Sequence, residues 1–99
     1  MGSVQERMKA PYRIEATVIR QEGTCAFHHT IGDKVIFDGV SIQGSMCWSA
    51  LYSMIPKIHA MLYGARFPWT KDPDTATHAC PDGYNPVIFE LKRFPASES

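Results

Sequence analysis

The segment from Gly44 to Gly64 is the only long run of the chain in which apolar residues recur every three or four positions. This period places them on one face of an α-helix. The residues of that face are Cys47, Leu51, Met54, Ile55, Ile58, Met61 and Leu62. Ser45 is a suitable N-cap, and Gly64 can adopt the left-handed conformation that ends a helix. Pro56 lies inside the run and lacks a backbone donor, which predicts a kink or a break near Ser53.

Alternating apolar and polar residues predict strands on both sides of this helix. The first strand runs from Tyr12 to Ile19 and the second from Lys34 to Phe37. Alternation also predicts a last strand beginning at Val87. A short strand is placed at about 75–79 because the connection after the helix is too long to lack structure. The resulting order predicts an α+β fold, in which a small, mostly antiparallel sheet of three to four strands packs on one long, Pro-kinked helix.

Length and composition indicate one globular domain. The chain has 99 residues, of which 44% are hydrophobic and 20% charged, as in an ordinary folded domain. The domain is expected to span residues 12–94, with a flexible N-terminal arm at 1–11 and a flexible tail at 95–99. Ten basic and ten acidic side chains cancel, so the charge pattern favours neither nucleic acid nor an anionic membrane as a partner. The sequence also lacks an apolar run of membrane-spanning length and the apolar core of a signal peptide, which together predict a cytoplasmic protein.

Three cysteines stand at the edges of predicted elements. Cys25 lies between the first two strands, Cys47 begins the helix, and Cys80 precedes the last strand. Three cysteines cannot all pair within one chain, and a reducing cytosol disfavours structural disulfides. His29 follows Cys25 by four residues, with His28 beside it, and three thiolates with one imidazole suit zinc or iron. The spacing is not that of a zinc finger. From the spacing alone, a shared metal site and buried cysteines that act as core residues therefore have equal weight.

Cys47 also supports a metal-free interpretation. The unpaired amides and the positive dipole end of a helix favour a thiolate in the first turn, so Cys47 is a candidate catalytic nucleophile with a histidine as its base. Of the other histidines, His59 is expected in the core or at its rim, and His78, two residues before Cys80, is a fallback ligand. Turn formation is sufficient to explain the acidic residues Asp72, Asp74 and Asp82.

The connection of residues 65–85 is too long to lack structure in so small a domain. Its motif Phe67-Pro68-Trp69 predicts a lid, in which the rings of Phe67 and Trp69 close over the site. The large aromatic side chains near the site are expected in the core and not in a stacking platform: Trp48, Tyr52, Tyr63, Phe67 and Trp69.

Several short motifs are spread over residues 12–93. They are Cys25-x3-His29 with Gly32-Asp33, Gly44-x2-Cys47 with Ser49-Ala50, Tyr63-Gly64 with Phe67-Pro68-Trp69, Asp72-Pro73-Asp74, and Ala79-Cys80-Pro81-Asp82 with Asn85-Pro86-Val87. With this set the chain resembles a family of short, functionally uncharacterised prokaryotic proteins of about this length. The resemblance implies that Cys25, His29, Cys47 and Cys80 belong to one pattern, and it selects His29 over His28 as the nitrogen ligand. It implies no activity.

The first hypothesis is a small cytosolic metal-binding protein that holds one zinc or iron ion per chain on Cys25, His29, Cys47 and Cys80. A closed shell of four ligands is structural, whereas an open position allows a metal-dependent reaction on a small-molecule substrate. One alternative is a metal-free enzyme with Cys47 as its nucleophile, and another is a protein-interaction module with core cysteines. A domain this small can also form a homo-oligomer.

Overall fold

A five-stranded antiparallel sheet carries one helix in the computed structural model, which describes residues 10–23 and 29–96. The elements in chain order are β1 (Tyr12–Gln21), β2 (Lys34–Phe37), β3 (Ile42–Gln43), α1 (Trp48–Leu62), β4 (Thr75–Ala79) and β5 (Val87–Pro95). The strands lie in the order β3-β2-β1-β5-β4. The predicted α+β class is confirmed, and the sheet is larger by the short strand β3.

The core lies between one face of the sheet and α1. In the central strand β1, Ile14, Ala16 and Val18 are buried, while the residues between them are only half-buried. Ala16 lies opposite Leu91 of β5 and Val35 of β2, which are also buried. The alternation of the sequence therefore selects the face that packs under the helix, because successive strand side chains point to opposite sides.

The helix α1 buries most of the predicted apolar face, but Ile55 at the margin of that face is 41% exposed, and the helix begins later than predicted. Met54, Ile58 and Met61 are buried against the sheet. The N-cap residue is Cys47 and not Ser45, and the first intrahelical bond joins Leu51 N–H to the Cys47 carbonyl at 3.0 Å.

The C-terminus of α1 is closed by glycine, as predicted. Gly64 has a φ of 98°, and the N–H groups of Gly64 and Ala65 donate to the carbonyls of Met61 and Ala60 at 3.1 and 3.0 Å. These two bonds form a Schellman motif. Pro56 lies inside α1, which continues through it as one element, so the break considered near Ser53 does not occur.

The two ends of α1 lie toward different ends of the sheet. The C-terminal turn of α1 lies at the end that holds Tyr12 and Arg93, since Arg93 Nη1 donates to the Met61 carbonyl at 3.0 Å. Fifteen helical residues span about 22 Å. The first turn of α1 therefore lies toward the other end, where Gln21 pairs with Val87.

The boundaries of the domain differ in detail from those predicted. Ala10, which the sequence assigns to the arm, is buried, and its N–H donates to the Asp38 carbonyl at 3.3 Å. The predicted arm and tail lie mostly outside the described residues, as do Cys25 and His28. Within the described ranges, no helix is both long and apolar enough to cross a membrane.

Candidate functional site

His29 lies beside the first turn of α1. Its Nε2 accepts a hydrogen bond from the backbone N–H of Cys47 at 3.2 Å. The ring is buried and packs edge-on against Phe89 of β5, with centroids 5.4 Å apart. The connection between β1 and β2 and the start of α1 therefore lie at the same end of the sheet.

A tight turn after His29 holds this connection against β1. Thr30 N–H donates to Asp33 Oδ2 at 2.9 Å, and Asp33 N–H donates back to the Thr30 carbonyl at 2.9 Å. Gly32, with a φ of 98°, donates its N–H to the Val18 carbonyl at 2.8 Å. The Gly32-Asp33 motif thus fixes the backbone next to His29, because a residue with a side chain rarely adopts this φ.

The surroundings of His29 favour a neutral ring. Burial lowers the pKa of His29 below its ordinary value, and the nearby Asp33 carboxylate partly opposes this shift. Since Nε2 accepts from an amide, the single ring proton of the neutral form lies on Nδ1, which is 4.0 Å from Asp33 Oδ2. The lone pair of Nε2 therefore faces the start of α1. Neutral imidazole is the form that binds metal ions or accepts a proton.

Asp33 was missed as a site residue by the sequence reasoning, which assigned it only to a turn. The available signal was its position four residues after His29. In the structure this residue has both roles, because Oδ2 accepts the Thr30 amide and also lies near the imidazole.

Cys47 and Cys80 are free, half-buried thiols that pack against the edge of the core. Cys80 directly follows β4 and is tied to the start of β5. Its N–H donates to the Val87 carbonyl at 2.9 Å, and its Sγ accepts the Val87 N–H at 3.2 Å. Val87 lies two residues before Phe89, and both are buried on the helix side of the sheet. Cys80 is therefore at the same end of the domain as His29 and Cys47.

The complete predicted ligand set is not assembled within the described residues. In residues 10–23 and 29–96, no three side chains of His, Cys, Asp or Glu are close enough together to hold a metal ion. Cys25 lies outside these ranges. The structure brings His29 next to Cys47 and places Cys80 at the same end of the sheet, while metal ligation by the four residues stays a prediction.

The other two candidate histidines have separate surroundings. His78 Nε2 lies 2.9 Å from Ser53 Oγ, whose hydroxyl donates to the Ala50 carbonyl at 2.9 Å. Burial and the charge of Lys57 lower the pKa of His78. His59 is exposed, with its ring 5.1 Å from that of Tyr63. His78 thus joins β4 to α1, and His59 lies outside the core.

The predicted lid residues stack on each other, with ring centroids 5.0 Å apart and an interplanar angle of 15°. Phe67 and Trp69 follow the last turn of α1, whereas Cys47 precedes its first turn. No contact among the described residues supports closure over the site, which stays a prediction. The expectation that the large aromatic residues lie in the core is wrong for four of them, since Trp48, Tyr52, Tyr63 and Trp69 are exposed.

The turn interpretation of two acidic residues is confirmed. Asp72 Oδ1 accepts the Asp74 N–H at 2.9 Å, and Asp82 Oδ1 accepts the N–H groups of Tyr84 and Asn85 at 2.9 and 3.0 Å. These bonds to the charged form lower the pKa of both carboxyl groups. Both residues therefore act as turn formers.

The arrangement at the start of α1 offers one ring nitrogen that accepts the Cys47 N–H, and Cys47 itself carries a half-buried thiol. A comparison with protein-family models, with curated proteins and with solved structures finds no match. A function for this chain is therefore inferred from the chemistry of these residues.

Proposed function

We propose that this protein is a small cytosolic metal-binding protein whose zinc or iron ion is held at the start of α1 by Cys25, His29, Cys47 and Cys80. The observation that carries the proposal is the buried His29 ring, whose Nε2 lies 3.2 Å from the Cys47 nitrogen. A buried imidazole with a lowered pKa stays neutral and keeps a lone pair for a metal ion.

The surroundings of His29 assign different roles to its two nitrogens. Nδ1 lies 4.0 Å from the Asp33 carboxylate, which is beyond hydrogen-bond distance but favours the ring proton on Nδ1. In zinc sites a carboxylate commonly approaches the ligand histidine from this side and orients its ring. Nε2 is then the ligand atom. An ion bound at Nε2 would replace the Cys47 N–H on that lone pair.

The thiols supply the sulfur part of the proposed shell. Cys47 lies at the N-cap position, where the positive end of the helix stabilises a negative sulfur. Cys80 Sγ accepts a backbone N–H from Val87 at 3.2 Å, and this bond is stronger when the sulfur is a thiolate. Cys25 precedes His29 by four residues in the same connection, so it can approach the same end of the sheet.

The number of ligands decides between a structural and a catalytic ion. Four protein ligands close the shell, and the ion then contributes to folding. If Cys80 keeps its bond to Val87 and does not bind the ion, one position is open, and a metal supplies Lewis-acid chemistry there. In that case Cys25, His29 and Cys47 would hold and orient the ion.

Metal content of purified protein tests the proposal. The protein is prepared without an affinity tag or chelator and analysed by elemental mass spectrometry, alongside His29→Gln, Cys47→Ser and a control, His59→Gln. About one zinc or iron per chain is expected in wild type and in the exposed His59 variant, with a large loss in the other two. Metal-free wild-type protein with a native far-UV circular dichroism spectrum contradicts the proposal.

The same geometry favours one second candidate, a metal-free enzyme with Cys47 as nucleophile and His29 as its base. Nε2 accepts the backbone N–H of Cys47, so the imidazole lies beside the residue whose thiol it would deprotonate as a base. Alkylation of chelator-treated protein by iodoacetamide, followed by peptide mass mapping, measures this directly. The second candidate predicts fast labelling of Cys47 that slows in His29→Gln. Equal rates at Cys47 and Cys80 contradict it.

A further inference from the structure

The solvent side of α1 carries an apolar stripe, formed by Trp48, Tyr52, Ile55, His59 and Tyr63. These residues recur at spacings of four, three, four and four, so they lie along one line of the helix surface. Trp48 and Tyr52 are each 79% exposed, Tyr63 is 54% exposed and Ile55 is 41% exposed. A helix that covers one side of a sheet ordinarily turns charged residues toward solvent.

Charged groups are nearly absent from α1. Apart from its histidine, Lys57 is the single residue of this helix that is charged at neutral pH. Its ammonium group donates to the Thr77 carbonyl of β4 at 2.8 Å. This contact draws the charge away from the stripe and occupies the Thr77 carbonyl of β4, one of the acceptors that an edge strand offers to another sheet. The helix surface is therefore a better contact surface than this sheet edge.

Grooves flank the stripe on both sides. One groove of about 210 Å³ lies between α1 and the β2–β3 hairpin and is lined by Ile42, Ile55, His59 and Tyr63 among others. The other, of about 370 Å³, lies beside Trp48, Tyr52 and Pro81. The stripe is thus a ridge with a depression on each side, which is the shape that packs against another helix.

We propose that a second copy of this chain covers the stripe, with the two α1 helices antiparallel about a two-fold axis near Ile55. The stripe has a large aromatic ring at each end, Trp48 and Tyr63, and Ile55 lies close to its middle. An antiparallel two-fold arrangement places Trp48 of each copy against the groove beside Tyr63 of the other. A surface that complements itself in this way is what a two-fold dimer requires.

The area available matches a stable dimer. With about 150–250 Å² for each large aromatic side chain, the exposed parts of the stripe together with Val40 and Ile42, which are 48% and 45% exposed, amount to about 700 Å² per copy. Specific interfaces bury about 800 Å² per partner, and an exposed apolar patch of this extent is at the upper limit for a monomer. The lack of charge on the stripe disfavours nucleic acid as the occupant.

Sedimentation velocity over a wide concentration range, with and without chelator, tests the dimer. Wild type is expected at twice the chain mass of 11.1 kDa, and the control Tyr84→Glu, at a 93% exposed position outside the stripe, is expected to remain dimeric. Tyr52→Glu and Trp48→Ser are expected to be monomeric with unchanged far-UV circular dichroism, because both side chains are mostly exposed and contribute little to folding. If Tyr52→Glu fails to fold, Trp48→Ser decides whether the dimer depends on the stripe.

Fluorescence of Trp48 gives an independent reading of the same contact. In the Trp69→Phe background, emission from Trp48 is expected to shift to longer wavelength on dilution, and this shift should be absent when Tyr52→Glu is added. Wild-type protein that is monomeric at the highest concentration overturns the proposal. So does a dimer that survives both stripe substitutions, since its interface then lies elsewhere.

Discussion

Arg93 of β5 fastens the end of α1 and the following loop to the sheet. Its side chain is 1% exposed. Nη1 donates to the carbonyls of Met61 and Ala65 at 3.0 and 2.7 Å, Nη2 donates to the Pro73 carbonyl at 2.8 Å, and Nε donates to Asp74 Oδ1 at 3.0 Å. One guanidinium therefore joins three segments that are distant in sequence.

Replacing Arg93 with Met keeps much of the side-chain volume and removes every donor. The carbonyls of Met61, Ala65 and Pro73 then lose a charged partner, and removing one member of a buried charged network typically costs about 3–5 kcal/mol. The carboxylate alone explains little of this, because the Asp74 side chain is 52% exposed and such ion pairs contribute about 0–1 kcal/mol. We expect Arg93→Met to lower the free energy of unfolding by about 3–5 kcal/mol and Asp74→Asn by less than about 1 kcal/mol.

Urea unfolding followed by far-UV circular dichroism measures both changes under identical metal conditions. Arg93→Lys is an informative third variant, because a single ammonium keeps the charge but cannot reproduce the planar fork of donors. An intermediate loss of stability is expected for it. A loss of less than about 1 kcal/mol in Arg93→Met, or equal losses in Arg93→Met and Asp74→Asn, refutes the reasoning.

Three further predictions concern the site and the core. Burial lowers the pKa of His29 below 6.5, so between the folded pKa and 6.5 the unfolded chain binds more protons than the folded chain. The free energy of unfolding should therefore fall as the pH drops from 6.5 toward the folded pKa. Urea titrations at several pH values should show a weaker pH dependence of this free energy in His29→Gln, but not in the exposed His59→Gln. Gly44→Ala should lower the free energy of unfolding by more than about 1 kcal/mol, because φ at Gly44 is 114° and an added Cβ would lie 2.9 Å from a backbone oxygen. The control Gly83→Ala would place its Cβ where no atom of the described residues lies within 4 Å, so its thermal unfolding should be nearly unchanged. Phe89→Ala should cost about 3–5 kcal/mol in urea, because its ring is fully buried; a loss below about 1 kcal/mol would contradict its role under His29.

Much of the fold follows from local patterns. Turn signals on either side of Lys34–Phe37 predicted β2 with its observed bounds, and the length of the connection after the helix led to a short strand at about 75–79, where β4 lies. The three-to-four spacing predicted most of the buried face of α1. The two-residue strand β3 was missed because it is too short to show a period and forms only by pairing with β2. The helix continues through Pro56 because its packing on the sheet compensates for one missing backbone donor.

For the candidate site, the sequence predicted residue types but not their placement. The spacing left His28 and His29 both open and the resemblance selected His29, whose ring the structure places against the Cys47 backbone N–H. Neither pattern indicated that Asp33 faces the same ring or that Cys80 Sγ accepts a bond from Val87. These contacts join residues from different elements, and hydrophobic periodicity carries no information on such pairs.

The sequence by itself determined the class of fold, the strands with clear alternation, the apolar face of α1 and its glycine stop at Gly64, because each depends on the preferences of neighbouring residues. Tertiary structure decided which of the remaining residues became buried or exposed. Arg93, an ordinary strand residue in the sequence, is buried because the end of α1 and the following loop present carbonyls to it. Trp48 and Tyr52 are exposed because α1 has only one face against the sheet, and side chains on the opposite line of the helix cannot reach the core.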